Sequence, residues 1–226
     1  MTKKEEWLAG TRSAVPIMLG YVPVGIAYGV MARQAGLNTW QTVLMSLTVY
    51  GGASEMMAAG MVAQGAAVLT IVLTTFILNL RHIIMSTCVF NQMQGGRLPV
   101  RMLAAFGVTD ETFAVYTTTA NAPRTPRYFF SMALCSYLSW ALGSWLGAIA
   151  TGLLPPLITA ALGISLYAMF IGLLMPGLHG NGRLAALVVL TALCNTVLCN
   201  VVQLDSGWSM ILSTLGCAAL GSFFVM

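Results

Sequence analysis

Glu55, the pair Arg81-His82 and the pair Asp110-Glu111 are the side chains best suited to ion or proton chemistry, and all five lie within or at the edge of long apolar stretches. A charge near the centre of a bilayer costs roughly 2.5–3.5 kcal/mol on insertion scales. Such groups therefore face a cavity or a partner, and each is a functional-site candidate. A carboxylate in that setting attracts an ammonium group or a proton. An arginine or an asparagine holds a carboxylate, and a histidine can carry a proton near neutral pH.

Other chemistries lack their residues. The sequence has no serine elbow, nucleotide-phosphate loop or HExxH element. Neither an enzyme nor ATP-driven transport by this chain alone is supported, and no cofactor is implied. Cys88, Cys135, Cys194, Cys199 and Cys217 sit in apolar segments without CxxC spacing, which reads as free thiols filling packing gaps. Only His82 lies near acids, so no metal site is expected.

Composition decides the class. Of 226 residues, 58% are hydrophobic and 7% charged, against about 25% charged in a soluble domain. The fold expected is all-α, a polytopic transmembrane helical bundle. The net charge of +4 is spread over loops and makes no basic patch for nucleic acid. The opening Lys3-Lys4-Glu5-Glu6 does not read as a signal peptide.

Apolar runs fall at about 13–32, 39–63, 66–90, 102–120, 128–153, 157–177, 184–203 and 207–226, each near the ~20 residues needed to span. They predict eight segments, or seven with one re-entrant, in a single membrane domain over 1–226 whose residues 1–12 form a cytoplasmic N-terminal segment. Lys3, Lys4, Arg12, Arg124, Arg127 and Arg183 outnumber Arg33, Arg97 and Arg101 on the opposite side, which puts the N-terminus in the cytoplasm.

Within these segments, several positions break helical regularity. Pro23, followed by Gly25, predicts either an interrupted helix exposing backbone groups to a substrate or a simple kink. Gly25 and Gly29, and Gly143 and Gly147 continued by Ser136 and Ser139, are small-residue stripes for close helix packing. Thr42, Ser46, Tyr50 and Ser54 make a polar stripe that Gly51-Gly52 interrupts before Glu55. Gly107-Val-Thr109-Asp110-Glu111 repeats the order glycine, hydroxyl, acid. Because Ser or Thr favours a helix N-cap and acids favour the first turn, each predicts a half-helix starting inside the membrane. Thr75, Asn79, His82 and Ser86 share one helix face. Arg81 lies about 100° away, free to pair with an acid or reach the interface. His82 is either a proton carrier or a hydrogen-bonded interhelical group. Thr191 with Asn195 and Thr196 with Asn200 are expected to bond between helices, and His179 to be solvent-exposed.

With these motifs in order, the chain resembles the AzlC-type large subunit of two-component branched-chain amino-acid exporters. The matching stretches are Val15–Gly29, Tyr50–Glu55, Leu80–Ser86, Phe106–Ala114 and Ala161–Leu174. The resemblance implies a bacterial cytoplasmic-membrane exporter of valine, leucine and isoleucine, often also methionine. It also implies a small, very hydrophobic AzlD-type partner subunit. It marks Arg81-His82 and Asp110-Glu111 as shared machinery, whereas Glu55 stands where glutamine is expected. The leading expectation is secondary, proton-coupled export by alternating access. Carboxylate-side candidates are the backbone at Pro23 and Gly25 with Asn79 and Arg81; Tyr50, Ser54 and Thr109 flank the acids. A passive channel and a non-transporting scaffold are the alternatives.

Overall fold

A computed structural model describes residues 2–119, 122–153, 178–204 and 206–224, with a few single positions between 155 and 175. Regular structure among the described residues is helix alone: α1 Lys3–Gln34, α2 Thr39–Thr48, α3 Gly52–Ala63, α4 Val68–Gln92, α5 Leu98–Phe106, α6 Asp110–Thr118, α7 Pro126–Ala150, α8 Gly182–Asn200 and α9 Ser206–Phe224. This is the helical membrane bundle expected. α1, α4, α7 and α8 are each long and apolar enough to cross a membrane. The 157–177 segment, with most of the Ala161–Leu174 stretch, lies outside the described residues.

α1 and α7 form the spine. A Cβ on Gly25 would stand 3.2 Å from the Gly143 Cα and 3.0 Å from the Trp140 carbonyl, and one on Gly147 would collide with the Ile26 backbone. The two GxxxG stripes therefore face each other, and absent side chains let the backbones touch. Tyr28, Phe129, Met132 and Trp140 bury beside this seam. That packing decides against the interrupted-helix reading of Pro23: α1 runs unbroken through Pro16 and Pro23. A proline inside a helix costs about 3 kcal/mol through a lost hydrogen bond and a clash. Contact with α7 along the whole helix outweighs it. Residues 3–12 likewise belong to α1. The helix starts on a Thr2–Glu5 capping box, and the Tyr128 hydroxyl on α7 donates to Ser13 Oγ at 2.7 Å.

The interruptions fall in the other two segments. α2 and α3 have 10 and 12 residues, and α5 and α6 have 9 each. At 1.5 Å per residue, each is about half the ~30 Å hydrocarbon thickness. Tyr50, at φ 47°, turns the chain between α2 and α3. A tyrosine in this left-handed region carries strain of roughly 1–3 kcal/mol. It is held there by the buried ring's edge contact with Tyr137, 4.9 Å between centroids. The half-helix starts anticipated near Glu55 and Thr109 are both present, with one correction. Thr109 caps α6, but α3 is capped by Gly51, and Ser54 instead donates back to the Gly51 carbonyl at 2.8 Å.

α8 and α9 pack on each other. Asn195 meets Ser213 across that contact at 3.5 Å, whereas Thr196 and Asn200 bond along their own helix rather than between helices. His179 follows in the turn before α8.

Candidate functional site

The starts of α3 and α6 line one cleft. Gly51, Gly52 and Ala53 come from the first, and Thr109, Asp110 and Glu111 from the second. Arg81 and His82 of α4 enter from the side, and Tyr21, Tyr50 and Trp140 complete the walls. The free space in the cleft is about 20 Å³, room for a water-sized molecule in this conformation. Four of the five ionisable residues singled out in the sequence thus meet at one place, and Glu55 stands directly behind its α3 wall.

The two helix starts are finished differently. At α6 the Thr109 side chain accepts from the Thr112 amide at 3.3 Å, and the Thr112 hydroxyl accepts from the Thr109 amide at 2.8 Å. This end is closed by its own side chains, and Asp110 and Glu111 add negative charge to its first turn. At α3, Gly51 brings no side chain to cap. The first amides of a helix have no intrahelical acceptor; the Gly51 amide donates to Glu55 Oε1, and Gly52 and Ala53 line the cleft. Such an end is an anion site in geometry and in dipole. Glycine is required at 52 for space: a Cβ there would stand 2.8 Å from the Trp140 ring.

Charges in the cleft are unevenly paired. Arg81 Nη2 binds Asp110 Oδ2 at 2.9 Å, with both side chains partly exposed. Glu111 has no cation within 4.0 Å among the described residues; its Oε2 accepts from the Tyr21 hydroxyl at 2.6 Å, which also lies 2.7 Å from Thr109 Oγ1. His82 faces the same space.

Glu55 is wholly buried. Its Oε1 accepts from the Gly51 amide at 2.9 Å, its Oε2 lies 2.9 Å from Ser46 Oγ, and the Trp140 indole N–H is 3.2 Å from both oxygens. Ser54 lies on the same turn and faces a second, mostly apolar hollow between α2, α3 and α4. That hollow is lined by Met45, Val49, Ala58, Ile71, Val72 and Phe76, with Glu55 at its wall, and has about 460 Å³ of free space.

The polar face of α4 is shared out along its length. Thr75 and Asn79 face the hollow and His82 the cleft. Ser86 donates to the Ala105 carbonyl of α5 at 3.3 Å. Asn79 Oδ1 is buried without a hydrogen-bond partner, close beside Gly51. Pro23 lies within α1, and Gly25 is in the α1–α7 seam. Tyr21 and Trp140 were not singled out in the sequence. The only signal was chemical: buried tyrosine and tryptophan seek partners for their O–H and N–H.

These features define a helical membrane protein in which two interrupted segments bring their helix starts to a polar cleft. The chain belongs to the AzlC family, whose model, described as AzlC protein, matches residues 16–154. It is 33% identical over 188 residues to an uncharacterized membrane protein of Archaeoglobus fulgidus, covering 82% of each chain. It is 30% identical over 179 residues to the inner membrane protein YgaZ of Escherichia coli, covering 75% of this chain and 72% of that one. It is also 27% identical over 157 residues to the branched-chain amino acid transport protein AzlC of Bacillus subtilis, covering 66% of this chain and 61% of that one. No solved structure matches the chain.

Proposed function

We propose that this protein is the large subunit of a two-component secondary exporter. It would move branched-chain amino acids, and also methionine, across a bacterial cytoplasmic membrane with its N-terminus inside, coupled to protons. The observation that carries this reading is the pairing of opposite helix starts in one cleft. The uncapped amides of Gly52 and Ala53 suit a carboxylate. Opposite them, Glu111 carries a negative charge with no cation beside it, which suits an ammonium group. An α-amino acid presents both charges on one carbon, and the two helix starts would bind the zwitterion without reading its side chain once the cleft opens beyond its present water-sized space. Arg81, paired with Asp110 at the rim, steadies that acid and adds to the carboxylate side together with Asn79. Tyr50 holds the α3 start in place, as Thr109 holds that of α6. The apolar hollow behind α3 offers room for an aliphatic side chain as the helices shift. Glu55, His82, Asp110 and Glu111 are the titratable groups available for coupling. Pro23 and Gly25 serve by allowing α1 to pack on α7.

The B. subtilis relative's name supports the substrate class. Burying unpaired charge is costly, so a non-transporting scaffold would gain little from this cleft. The partner in this reading is a small hydrophobic AzlD-type subunit lying in the bilayer.

The test is amino-acid-resolved efflux from cells loaded with a valine-containing dipeptide, expressing the chain with and without the small subunit. Chain-dependent excretion of valine, leucine and isoleucine is expected, greatest with both subunits. Equal efflux from cells lacking the chain would sink the reading. Flux that ignores an imposed pH gradient in proteoliposomes would favour a channel.

A further inference from the structure

The hydroxyl groups around Glu55 have one hydrogen too few for an ionised carboxylate. Ser46 Oγ, on α2, lies 2.9 Å from Glu55 Oε2 and 2.7 Å from Ser144 Oγ on α7; Ser144 Oγ lies 2.9 Å from the Trp140 carbonyl. That makes three oxygen–oxygen contacts at hydrogen-bond distance, with two serine hydrogens to fill them. With Glu55 ionised, one contact must bring two oxygens together with no hydrogen between them, which is repulsive rather than bonding. With Glu55 neutral, its own O–H fills the third. Glu55 donates to Ser46, Ser46 to Ser144, and Ser144 to the Trp140 carbonyl.

The remaining neighbours do not supply the missing hydrogen, although the Tyr28 hydroxyl is itself a hydrogen-bond neighbour of Ser46. Gly51 and Trp140 contribute N–H groups, which either form of the acid accepts. The Tyr28 hydroxyl of α1 sends its hydrogen to the Thr42 carbonyl at 3.2 Å. The other titratable groups facing Glu55 are Tyr50 at the helix break and Tyr137 of α7, both phenols. Across the first turn of α3, Arg81 and His82 of α4 and Asp110 and Glu111 of α6 line the cleft. None of the cations comes within 4.0 Å of Glu55.

We propose that Glu55 is held as the neutral carboxylic acid at the head of the Ser46–Ser144 string, and that its proton is the one taken up and released during transport. The second half rests on the export reading above. Loss of the proton to water, leaving Glu55 as a carboxylate, removes one of the three contacts. Those contacts tie α2, α3 and α7 together around the strained turn at Tyr50. The wall that carries the open Gly52 and Ala53 amides is therefore braced in the protonated state and released in the ionised one. Protonation at Glu55 and the shape of the cleft become one equilibrium. A glutamine at 55 would donate its amide hydrogen to Ser46 in the same way, and so fix the chain permanently in the protonated arrangement.

Infrared spectroscopy of the full chain in lipid nanodiscs reads the acid directly. At neutral pH the native chain should show the carbonyl stretch of a protonated carboxylic acid. The band should be missing in Glu55→Gln and retained in Asp110→Asn and Glu111→Gln. No such band, or one that survives Glu55→Gln, overturns the assignment. Ser46→Ala removes the acceptor of the acid hydrogen and should move the band to higher frequency, which keeps the test available if Glu55→Gln does not accumulate. An unmoved band overturns the string. Export is then measured against pH, where the native chain should change rate and Glu55→Gln should respond several-fold less. An unaltered pH response in Glu55→Gln overturns the coupling role while leaving export intact. Absence of export by the native chain removes the transport reading and the coupling with it, and the infrared band still decides whether Glu55 is neutral.

Discussion

The starts of α3 and α6 share an order of residues, glycine then hydroxyl then acid, yet are built to opposite ends. At α6 the hydroxyl of Thr109 caps the helix, leaving Asp110 and Glu111 to project charge into the cleft. At α3 the cap is Gly51, Ser54 turns back on the Gly51 carbonyl, and the acid is drawn inward, buried against Ser46 and Trp140. One start therefore presents its acids to the cleft, and the other lines it with Gly51, Gly52 and Ala53 while its acid is buried behind them. The lesson is that two helix starts of similar composition acquire complementary electrostatics from where the acid falls. At α6 the hydroxyl is itself the cap and the acids directly after it face the cleft; at α3 the cap is Gly51, three residues before the hydroxyl, and the acid after that hydroxyl turns to Ser46 and Trp140.

The largest effect expected from breaking this contrast is at the acidic start. Glu111→Gln removes the unpaired charge while keeping the Tyr21 bond. A hydrogen bond to a charged group contributes about 1.5–3 kcal/mol, so valine export should fall roughly ten- to a hundred-fold. The measurement is initial efflux at matched protein level; a change under two-fold would remove Glu111 from the site. Gly52→Ala attacks the other start. Its methyl group meets Trp140, and overpacking of this kind costs about 1–3 kcal/mol. Both thermal stability in detergent and export should drop, with export falling further because Trp140 is pushed from Glu55. Thr109→Ala opens the closed start. Loss of an N-cap costs about 1 kcal/mol, Thr109→Ser should restore it, and a thermal shift assay on the pair checks both. The smallest effect belongs to Asp110→Asn as read by stability. The Arg81 pair is partly exposed, and such pairs contribute about 0–1 kcal/mol, so the melting temperature should hardly move. Export should nevertheless weaken, because Arg81 loses its tether. A large stability loss would instead make the pair structural.

Much of this was legible in the residues. Glycines beside hydroxyls and acids announced interruptions near 51 and 107, because such residues stabilise a helix start that apolar side chains cannot. The face of Thr75, Asn79, His82 and Ser86 was visible from helical spacing. Pro23 was undecided in sequence because the local cost of proline is readable there, whereas the compensating contact of α1 with Gly143 and Gly147 lies some 120 positions away. Ser54 misled because a cap depends on backbone angles, and the left-handed turn at Tyr50 placed Gly51 at the helix start instead. Trp140 carried no signal, since a tryptophan in an apolar run looks the same whether its N–H meets lipid headgroups or a carboxylate.

By itself the sequence determined that this chain is an all-helical membrane protein and which few polar groups had to be reconciled with the bilayer. Burial cost acts on each residue separately, so composition and period suffice to read it. Only the tertiary structure decided which polar groups answer one another: Arg81 to Asp110, Tyr21 to Glu111, and Ser46, Ser144 and Trp140 to Glu55. Those pairings join residues as far apart as 98 positions. They follow from the close crossing of α1 and α7 and from the two helix breaks, which place the groups within hydrogen-bond reach.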